Sequence, residues 1–200
     1  MTSIIKVQDI QNATGDNIIK EANNTITIGA SGDTTNIVGT LQNNGAGVGG
    51  TMTPGFQATL TGTSQDISDA SYTKVNCNTK IYDTASAYDN SSNFRFTPQT
   101  AGRYYVYGQV FIDSTAGNFR LVLASIYKNG SVLTRGGTNF HSSDSNDAEG
   151  GSSFIATTVD MNGSSDYLEL YAFGDSIAGG TVGVEADQRR THFGAYKIIE

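Results

Sequence analysis

The sequence predicts an all-β protein, a sandwich or a barrel, with a short β-rich segment at its N-terminus. Short apolar stretches recur at regular spacing, and no stretch has the periodicity of an amphipathic helix. Turn-forming pairs such as Asn129-Gly130 and Asn162-Gly163 separate these stretches. The composition agrees, because 24 glycines, 10 tyrosines and 9 phenylalanines among 200 residues are typical of short strands joined by many turns.

Composition and charge limit the classes of partner. Apolar residues make up 37% of the chain, which is low for a globular protein and predicts a thin core or stabilisation by association. The net charge of −7, without any basic run, argues against nucleic acid as a principal ligand. We expect neither a signal peptide nor insertion into a membrane, because no apolar stretch is long enough to span a bilayer.

The N-terminal region differs from the rest of the chain. Residues 1–42 contain short apolar doublets between turn clusters. Strands formed from these doublets would have too little apolar surface to fold as an independent sheet. We therefore predict a segment that is ordered by wrapping around its own copies or by docking onto other proteins. Residues 43–53 are interpreted as a glycine-rich linker, and residues 54–200 as the head domain. The G-x-G-x-x-G match at 45–50 lacks the strand and the helix that a dinucleotide site needs.

Nine strands are predicted in the head from alternating or continuous apolar runs bounded by turn residues. They are Gly55–Thr61, Tyr72–Asn78, Phe94–Thr97, Arg103–Ile112, Phe119–Tyr127, Val132–Arg135, Ser153–Met161, Tyr167–Phe173 and His192–Ile199.

The strand at 103–112 is the centre of the prediction because it is apolar on both faces. Alternation places Tyr104 and Val106 on one face, and Tyr105, Tyr107 and Phe111 on the other. A strand with one wet face should alternate apolar and polar residues, so both faces of this strand need cover. We predict that one face lies in the core and the other against a neighbouring subunit. The predicted trimer interface is Tyr105, Tyr107, Phe111, Tyr171, Phe173 and Tyr196.

An ordered set of short motifs carries a resemblance to a known family. The set includes Phe56-Gln57-Ala58, Phe94 and Phe96 before Ala101-Gly102, the Lys128-Asn129-Gly130 turn, Asp166 to Leu170, and Thr191 to Ala195. This pattern resembles the globular-head family of complement's first component and, through it, the jelly-roll trimers of the tumour necrosis factor superfamily. The resemblance covers residues 53–200 and implies a ten-stranded jelly-roll β-sandwich that trimerises and binds partners through exposed loops.

The chain departs from that family in having no Gly-X-Y collagen stalk. In its place stands an Asn/Thr/Gly-rich leader with the run IKVQDIQN near its start. This combination resembles virion proteins of tailed bacteriophages, in which a small leader attaches a trimeric head to the particle. The resemblance implies a location in the virion and contacts between residues 1–50 and other virion proteins.

The sequence offers little catalytic chemistry, so we expect no enzyme and no cofactor. It lacks the G-x-S-x-G and H-E-x-x-H motifs, and Cys77 has no second cysteine with which to bind zinc. His192 is interpreted as a packed or partly exposed strand residue and not as a catalytic base. Asp144, Asp147 and Glu149 in the loop 141–150 form a candidate calcium site, although an exposed loop is the favoured interpretation.

The leading hypothesis is a homotrimeric fibre, spike or knob that presents its heads to a host glycan or protein. The predicted receptor-binding loop residues are Asn118, Asn139, His141, Asp144, Asp147 and Asp175. Two alternatives stay open at this point, a capsid-decorating protein that reinforces the shell and a lectin-like ligand-binding module.

Overall fold

The computed structural model describes residues 9–11, 17–22, 25–28, 32, 34–35, 42–43, 46–47, 52–115, 118–140, 148–177 and 181–198. The chain divides into two compact units, residues 1–50 and residues 51–200. The described residues form strands, turns and bends, and no helix that could span a membrane is found among them.

The described strands of the first unit form two small antiparallel sheets. They are β1 (Asp9–Gln11), β2 (Asn17–Ala22), β3 (Thr25–Ile28), β4 (Gln42–Asn43) and β5 (Ala46–Gly47). In the β1-β2-β3 sheet, Ile19 pairs with Ile10 on one side and Ile28 on the other. These three side chains are 36%, 44% and 54% exposed, so this unit leaves a row of isoleucines in contact with solvent.

The strands of the second unit account for the head. They are β6 (Gly55–Thr59), β7 (Gln65–Ile67), β8 (Thr73–Lys74), β9 (Thr79–Asp83), β10 (Tyr88–Asp89), β11 (Arg95–Phe96), β12 (Ala101–Ser114), β13 (Phe119–Lys128), β14 (Ser131–Asn139), β15 (Gly150–Asn162), β16 (Leu168–Ser176), β17 (Val182–Val184) and β18 (His192–Lys197).

Two antiparallel sheets make up the head. The described seven-stranded sheet has the order β7-β17-β12-β18-β6-β9, with β15 beside β12. The six-stranded sheet has the order β10-β11-β16-β13-β14, with β8 beside β16. Ser153 of β15 joins the two sheets, since its Oγ accepts the Ala124 N–H and donates to the Gly136 carbonyl, each at 2.9 Å. The architecture is the expected all-β sandwich.

Strand β12 organises the seven-stranded sheet, as the sequence predicted. It pairs with β15 along almost its whole length, and with β18 and β17 on its other side. Its inward residues Tyr104, Val106, Val110 and Ile112 are fully buried, whereas the outward residues Tyr105, Tyr107, Gln109 and Phe111 are only half-buried. The strand extends two residues beyond each predicted end because β15 pairs with it as far as Ala101 and Asp113, and β17 pairs with Ser114.

Aromatic rings fill one end of the core. The Phe56 ring stacks on Tyr88 and on Phe96, both with ring centres 4.5 Å apart, and meets the edge of Phe193 at 5.1 Å. Phe56 and Phe193 come from the seven-stranded sheet and the other two rings from the six-stranded sheet. Phe56 therefore joins the two layers through contacts that aromatic pairs favour. Burial raises the pKa of the nearby Cys77 thiol to about 12, as expected for a small core residue.

Turn-forming residues and capping side chains determine the conformation of several loops. Asn129 and Gly130 have φ angles of 53° and 78°, so this pair closes the β13–β14 hairpin as predicted. The Asp83 carboxylate accepts the N–H groups of Ala87 and Tyr88 at 2.9 and 3.1 Å. Asp89 similarly accepts three backbone N–H groups from residues 91–93, so both aspartates cap turns.

The predicted strand at Tyr72–Asn78 was wrong in extent, since only Thr73–Lys74 is a strand. The reason is the side-chain amide of Gln65, which donates to the Lys74 carbonyl at 2.7 Å and accepts the Asn76 N–H at 2.8 Å. The Gln65 side chain thus makes the hydrogen bonds to Lys74 and Asn76 that a neighbouring strand would otherwise make. The short strands β7, β9, β10 and β17 were not predicted because two to five residues give too little alternation to detect.

Replacing Phe56 tests the aromatic core. Phe56→Ala should lower the free energy of unfolding by about 3–5 kcal/mol, because it removes a buried ring and leaves a cavity. Urea unfolding measures the change. Leu133→Ala, at a side chain 38% exposed, is the control, with an expected change of at most about 1 kcal/mol. A similar loss in both variants would show that Phe56 does not join the layers.

The Asp83 turn makes stability depend on pH. Partial burial raises the pKa of Asp83, but hydrogen bonds from Lys80, Ala87 and Tyr88 outweigh burial and lower it from its ordinary 3.8. The charged carboxylate therefore stabilises the fold above pH 3.8, and this contribution is lost as the pH falls through the lowered value.

Asp83→Asn should cost about 1–2 kcal/mol at neutral pH, and the difference from the unmodified protein should vanish under acid conditions. Urea unfolding between neutral pH and the acid limit gives both quantities. Asp66→Asn, at an exposed position of β7, is the control. A difference that persists unchanged in acid would contradict the role of the charge.

Candidate interaction surfaces

The outer face of the seven-stranded sheet carries a cluster of tyrosines, here named the tyrosine face and defined as Tyr82, Tyr105, Tyr107 and Tyr196. Tyr105 on β12 pairs directly with Tyr196 on β18, with ring centres 5.5 Å apart. The Tyr105 and Tyr107 rings are 6.0 Å apart along the same strand. Tyr82 is 40% exposed and the other three are half-buried. The structure thus brings together three of the predicted interface residues.

Gly194 explains how the Tyr107 ring lies on this face. Gly194 is the β18 partner of Tyr107, and a Cβ on it would come within 2.4 Å of the Tyr107 ring and hydroxyl. The Tyr107 ring therefore lies across β18 at Gly194, and a residue larger than glycine at position 194 would displace the ring. Burial, and then the neighbouring Tyr82, which is hydrogen-bonded to it, raise the pKa of the Tyr107 hydroxyl above its ordinary value. Tyr107 stays neutral throughout the physiological range.

His192 borders the tyrosine face as a packed strand residue, as interpreted from the sequence. Its ring meets the edge of Tyr107 with centres 6.1 Å apart. Burial lowers the pKa of this imidazole, and its Nδ1 is buried without a hydrogen-bond partner among the described residues. Across the sheet, Gln109 separates His192 from Phe154, which is 55% exposed.

Phe111 lies further along β12 and is covered from within its own chain. The Arg190 guanidinium lies 4.6 Å above the Phe111 ring centre and pairs with Glu185 at 2.8 Å. Phe111 and Arg190 line a shallow cavity of about 230 Å³, together with Asp113, Glu149, Gly150 and Glu185. The structure places Phe111 on the expected face, where Gln109 lies between it and Tyr107 and the Arg190 guanidinium covers its ring.

Tyr171 and Phe173, predicted for the same interface, lie on the opposite side of the sandwich. They point outward from β16 in the six-stranded sheet, where Leu170 and Ala172 are the buried neighbours. Here they form a second aromatic cluster, named the aromatic platform and defined as Tyr72, Tyr127, Tyr171 and Phe173. The six predicted residues therefore belong to two surfaces and not to one.

The rings of the aromatic platform contact one another. Tyr127 stacks on Tyr171 with ring centres 3.9 Å apart and an angle of 24° between the planes. Tyr72 lies 4.9 Å from Phe173 and 6.2 Å from Tyr127. Alternation along β13 and β16 directs these side chains to the same outer face, and β8 brings Tyr72 alongside. The sequence did not reveal Tyr72 and Tyr127, because they become neighbours of β16 only through strand order.

Polar and charged groups surround the platform. Arg135 of β14 donates from its guanidinium to the Tyr72 hydroxyl at 3.1 Å. Lys74 and Glu169 form an ion pair at 3.1 Å. Ser125 lies between Tyr171 and Arg135 in the register, and its buried hydroxyl has no hydrogen-bond partner in the described part of the chain.

Solved structures identify the fold. The backbone is similar to the Eiger TNF of S. frugiperda with a TM-score of 0.55 and 12% identity, covering 73% of this chain and 92% of that one. It is also similar to murine APRIL with a TM-score of 0.51 and 11% identity, covering 72% and 98% of the two chains. The fold is a TNF-like jelly roll. No family model matches the sequence, and no curated protein matches it either.

The predicted receptor-binding residues fall partly on one end of this TNF-like jelly roll. Asn139 on β14 and Asp175 on β16 both pair with Leu121 of β13, so they flank this residue from the two sides of the strand. Asn118 precedes β13, has a φ angle of 59°, and its carbonyl accepts the Ile177 N–H at 2.9 Å. Asp175 was predicted in a loop and instead lies within β16, because that strand continues to Ser176.

The remaining loop and metal predictions fall mostly outside the described residues. His141, Asp144 and Asp147 lie there, so the candidate calcium site is represented by Glu149 alone. Glu149 lines the shallow cavity beside Asp113 and Glu185. Within the described ranges, no group of three or more histidine, cysteine or acidic residues has a geometry that could hold a metal ion.

Substituting Gly194 tests the close approach of the Tyr107 ring. Gly194→Ala should lower the free energy of unfolding by about 1–3 kcal/mol, because the new methyl group occupies the position of the ring. Thermal and urea unfolding measure this change. Ala156→Ser, on the other side of Tyr107, also adds one heavy atom and should change stability by only about 0.5 kcal/mol. Equal effects would contradict the specific role of Gly194.

Proposed function

We propose that this chain is a non-enzymatic structural protein that assembles as a homotrimer through the tyrosine face. The observation that carries the proposal is the half-exposed position of Tyr105, Tyr107 and Tyr196 together on the outer face of the seven-stranded sheet. Aromatic side chains gain most from association, because each removes a large apolar area from water while its hydroxyl keeps a polar contact. The TNF-like fold supports this proposal, because it agrees with the sequence resemblance to the tumour necrosis factor superfamily, and that resemblance implies a trimer.

The tyrosine face is pre-organised for such association. Tyr105 and Tyr196 pack against each other across the two strands, and the Tyr107 ring packs over the backbone of Gly194 and is hydrogen-bonded to Tyr82. Little side-chain freedom remains to be lost on binding, so more of the burial contributes to affinity. Arg103, two residues before Tyr105 on β12, pairs with Asp160 of β15 at 2.9 Å, and the partner surface of the tyrosine face therefore needs no net charge of its own.

The first unit supports a role in attachment. Its exposed row of Ile10, Ile19 and Ile28 cannot be buried by a sheet of three short strands. We propose that residues 1–50 cover this row by packing against other copies or other virion proteins, which would fix the head to a larger assembly. The leader's resemblance to those of bacteriophage virion proteins supports a location in the virion.

In this proposal the protein is a fibre, spike or knob that presents its heads to the host surface. A lectin-like role is favoured by one specific observation, the aromatic platform on the face opposite to the tyrosine face. The two roles are compatible, because a trimer formed through one sheet leaves the other sheet free to bind.

Tyr105→Glu tests assembly through the tyrosine face. Light scattering on the full chain should give three times 21.1 kDa for the unmodified protein and a smaller mass for the variant. In the variant, three carboxylates would have to be buried in the interface without partners, which is strongly unfavourable. Val132→Glu on β14, at a side chain 50% exposed, is the control and should remain trimeric.

Hydroxyl-radical footprinting separates the head interface from association through the first unit. Tyr107 and Tyr196 should be oxidised slowly in the unmodified protein and quickly in Tyr105→Glu. A monomeric unmodified protein, or fast oxidation of both tyrosines in it, would contradict the proposal.

Antibody labelling of intact particles tests the location in the virion. Label on a tail structure supports the role as a fibre, spike or knob, and label on the shell favours capsid decoration. The absence of label rejects a virion role.

A further inference from the structure

We propose that the aromatic platform is a binding site for acidic saccharides, that is, sugars that carry a carboxylate. The inference rests on the proposed attachment function, for which it names the chemical class of the partner and the face that binds it. It differs from the sequence-based hypothesis, which placed receptor binding on loop tips. Three independent features of the six-stranded sheet carry the argument.

The first feature is the shape and rigidity of the aromatic surface. Tyr72, Tyr127, Tyr171 and Phe173 contact one another and project from neighbouring strands, so their positions are fixed before any ligand arrives. Each ring offers an apolar surface, and three of them end in a hydroxyl. A pyranose ring has the matching chemistry, with C–H groups on its faces and hydroxyls around its rim. Rigid amphipathic rings of this kind bind such ligands with little loss of side-chain entropy.

The second feature is the distribution of the arginines. Four of the six arginines of the chain, Arg103, Arg120, Arg189 and Arg190, pair with an aspartate or a glutamate. The other two, Arg95 and Arg135, have no carboxylate partner among the described residues. Arg95 lies 4.6 Å above the ring of Tyr167, and Arg135 donates to the Tyr72 hydroxyl.

Both of these arginines belong to the six-stranded sheet that bears the platform. Tyr167 precedes β16, and alternation directs it to the same face as Tyr171. Lys74 is neutralised by Glu169, so Arg95 and Arg135 supply the net positive charge of this surface. A chain of net charge −7 thus places around one aromatic surface two guanidinium groups that have no carboxylate partner in the described part of the chain. The planar guanidinium matches a carboxylate with two parallel hydrogen bonds, which indicates an anionic ligand.

The third feature is unused hydrogen-bonding capacity at the centre of the platform. The Ser125 hydroxyl is buried between Tyr171 and Arg135 and has no partner in the described part of the chain. Buried polar groups in folded proteins are normally satisfied, and exceptions call for an explanation. When Arg135 turns towards a ligand carboxylate, this hydroxyl becomes available to a sugar hydroxyl next to it.

The dimensions of the surface suit an oligosaccharide. Arg95 and Arg135 lie on β11 and β14, which are separated by β16 and β13 in the sheet. At the usual spacing between neighbouring strands, this distance is about 15 Å. Two carboxylates on one short saccharide can therefore meet the two guanidinium groups while the sugar rings between them lie on the platform. Nucleic acid is disfavoured by the negative charge of the chain.

The test measures the binding of an alginate hexasaccharide, which carries a carboxylate on every ring, to the full chain. Cellohexaose, of equal length but uncharged, is the comparison ligand. Because the chain has 10 tyrosines and no tryptophan, tyrosine fluorescence reports directly on the rings, and calorimetry gives the dissociation constants. The alginate hexamer should bind more tightly than cellohexaose.

Arg135→Gln should weaken alginate binding by at least about tenfold, the value of one charged hydrogen bond, without changing the melting temperature. Arg95→Gln should act in the same direction. Arg189→Gln is the matched control, because this arginine is 82% exposed and lies on a turn between β17 and β18. The control should bind alginate as tightly as the unmodified protein.

Three results would overturn the inference: no detectable binding of alginate at millimolar concentration, equal binding of cellohexaose, or equal binding by Arg135→Gln and Arg189→Gln. Light scattering on the same samples reports the oligomeric state. Trimers that fail to bind alginate would reject the saccharide site alone, whereas monomers would reject the proposed assembly whether or not they bind.

Discussion

The whole head depends on one strand, β12, whose two faces are both apolar. Its inward side chains, Tyr104 to Ile112, are fully buried and form the layer on which the six-stranded sheet packs. Its position between β15 on one side and β18 and β17 on the other makes it the centre of the larger sheet. Because alternation is strict, the same strand must direct Tyr105 and Tyr107 outward. The core and the tyrosine face are thus two consequences of one sequence pattern.

A second strand repeats this arrangement in the other sheet. Strand β16 buries Leu168, Leu170 and Ala172 and directs Tyr171 and Phe173 to the opposite outer face. The sandwich therefore has an aromatic surface on each side. The two surfaces differ in their surroundings, since Arg103 beside the tyrosine face pairs with Asp160, whereas Arg95 and Arg135 beside the platform have no carboxylate partner among the described residues. This difference is the physical basis for proposing association on one side and ligand binding on the other.

The tyrosine face and the aromatic platform differ more in the charged groups beside them than in their aromatic residues. Many ionic side chains of the described head form ion pairs, such as Asp83 with Lys80 and Lys74 with Glu169. Such exposed or half-exposed pairs contribute little to stability individually. Four of the six arginines form such pairs, and the other two, Arg95 and Arg135, have no carboxylate partner among the described residues. Their position on the same sheet is the reason for proposing that this surface binds an anion.

The sequence by itself determined the fold class, the central strand and most long strands, because the period of two and the turn pairs are local signals. It also named Tyr105, Tyr107 and Tyr196 of one face and Tyr171 and Phe173 of the other, although it assigned them all to one interface. Only the tertiary structure decided that Tyr105 and Tyr171 lie on opposite sides of the sandwich. It also placed Tyr72 and Arg135 beside β16 and allowed Gln65 to replace a strand. Strand order depends on contacts between residues far apart in the chain, and no local pattern encodes which sheet a strand joins.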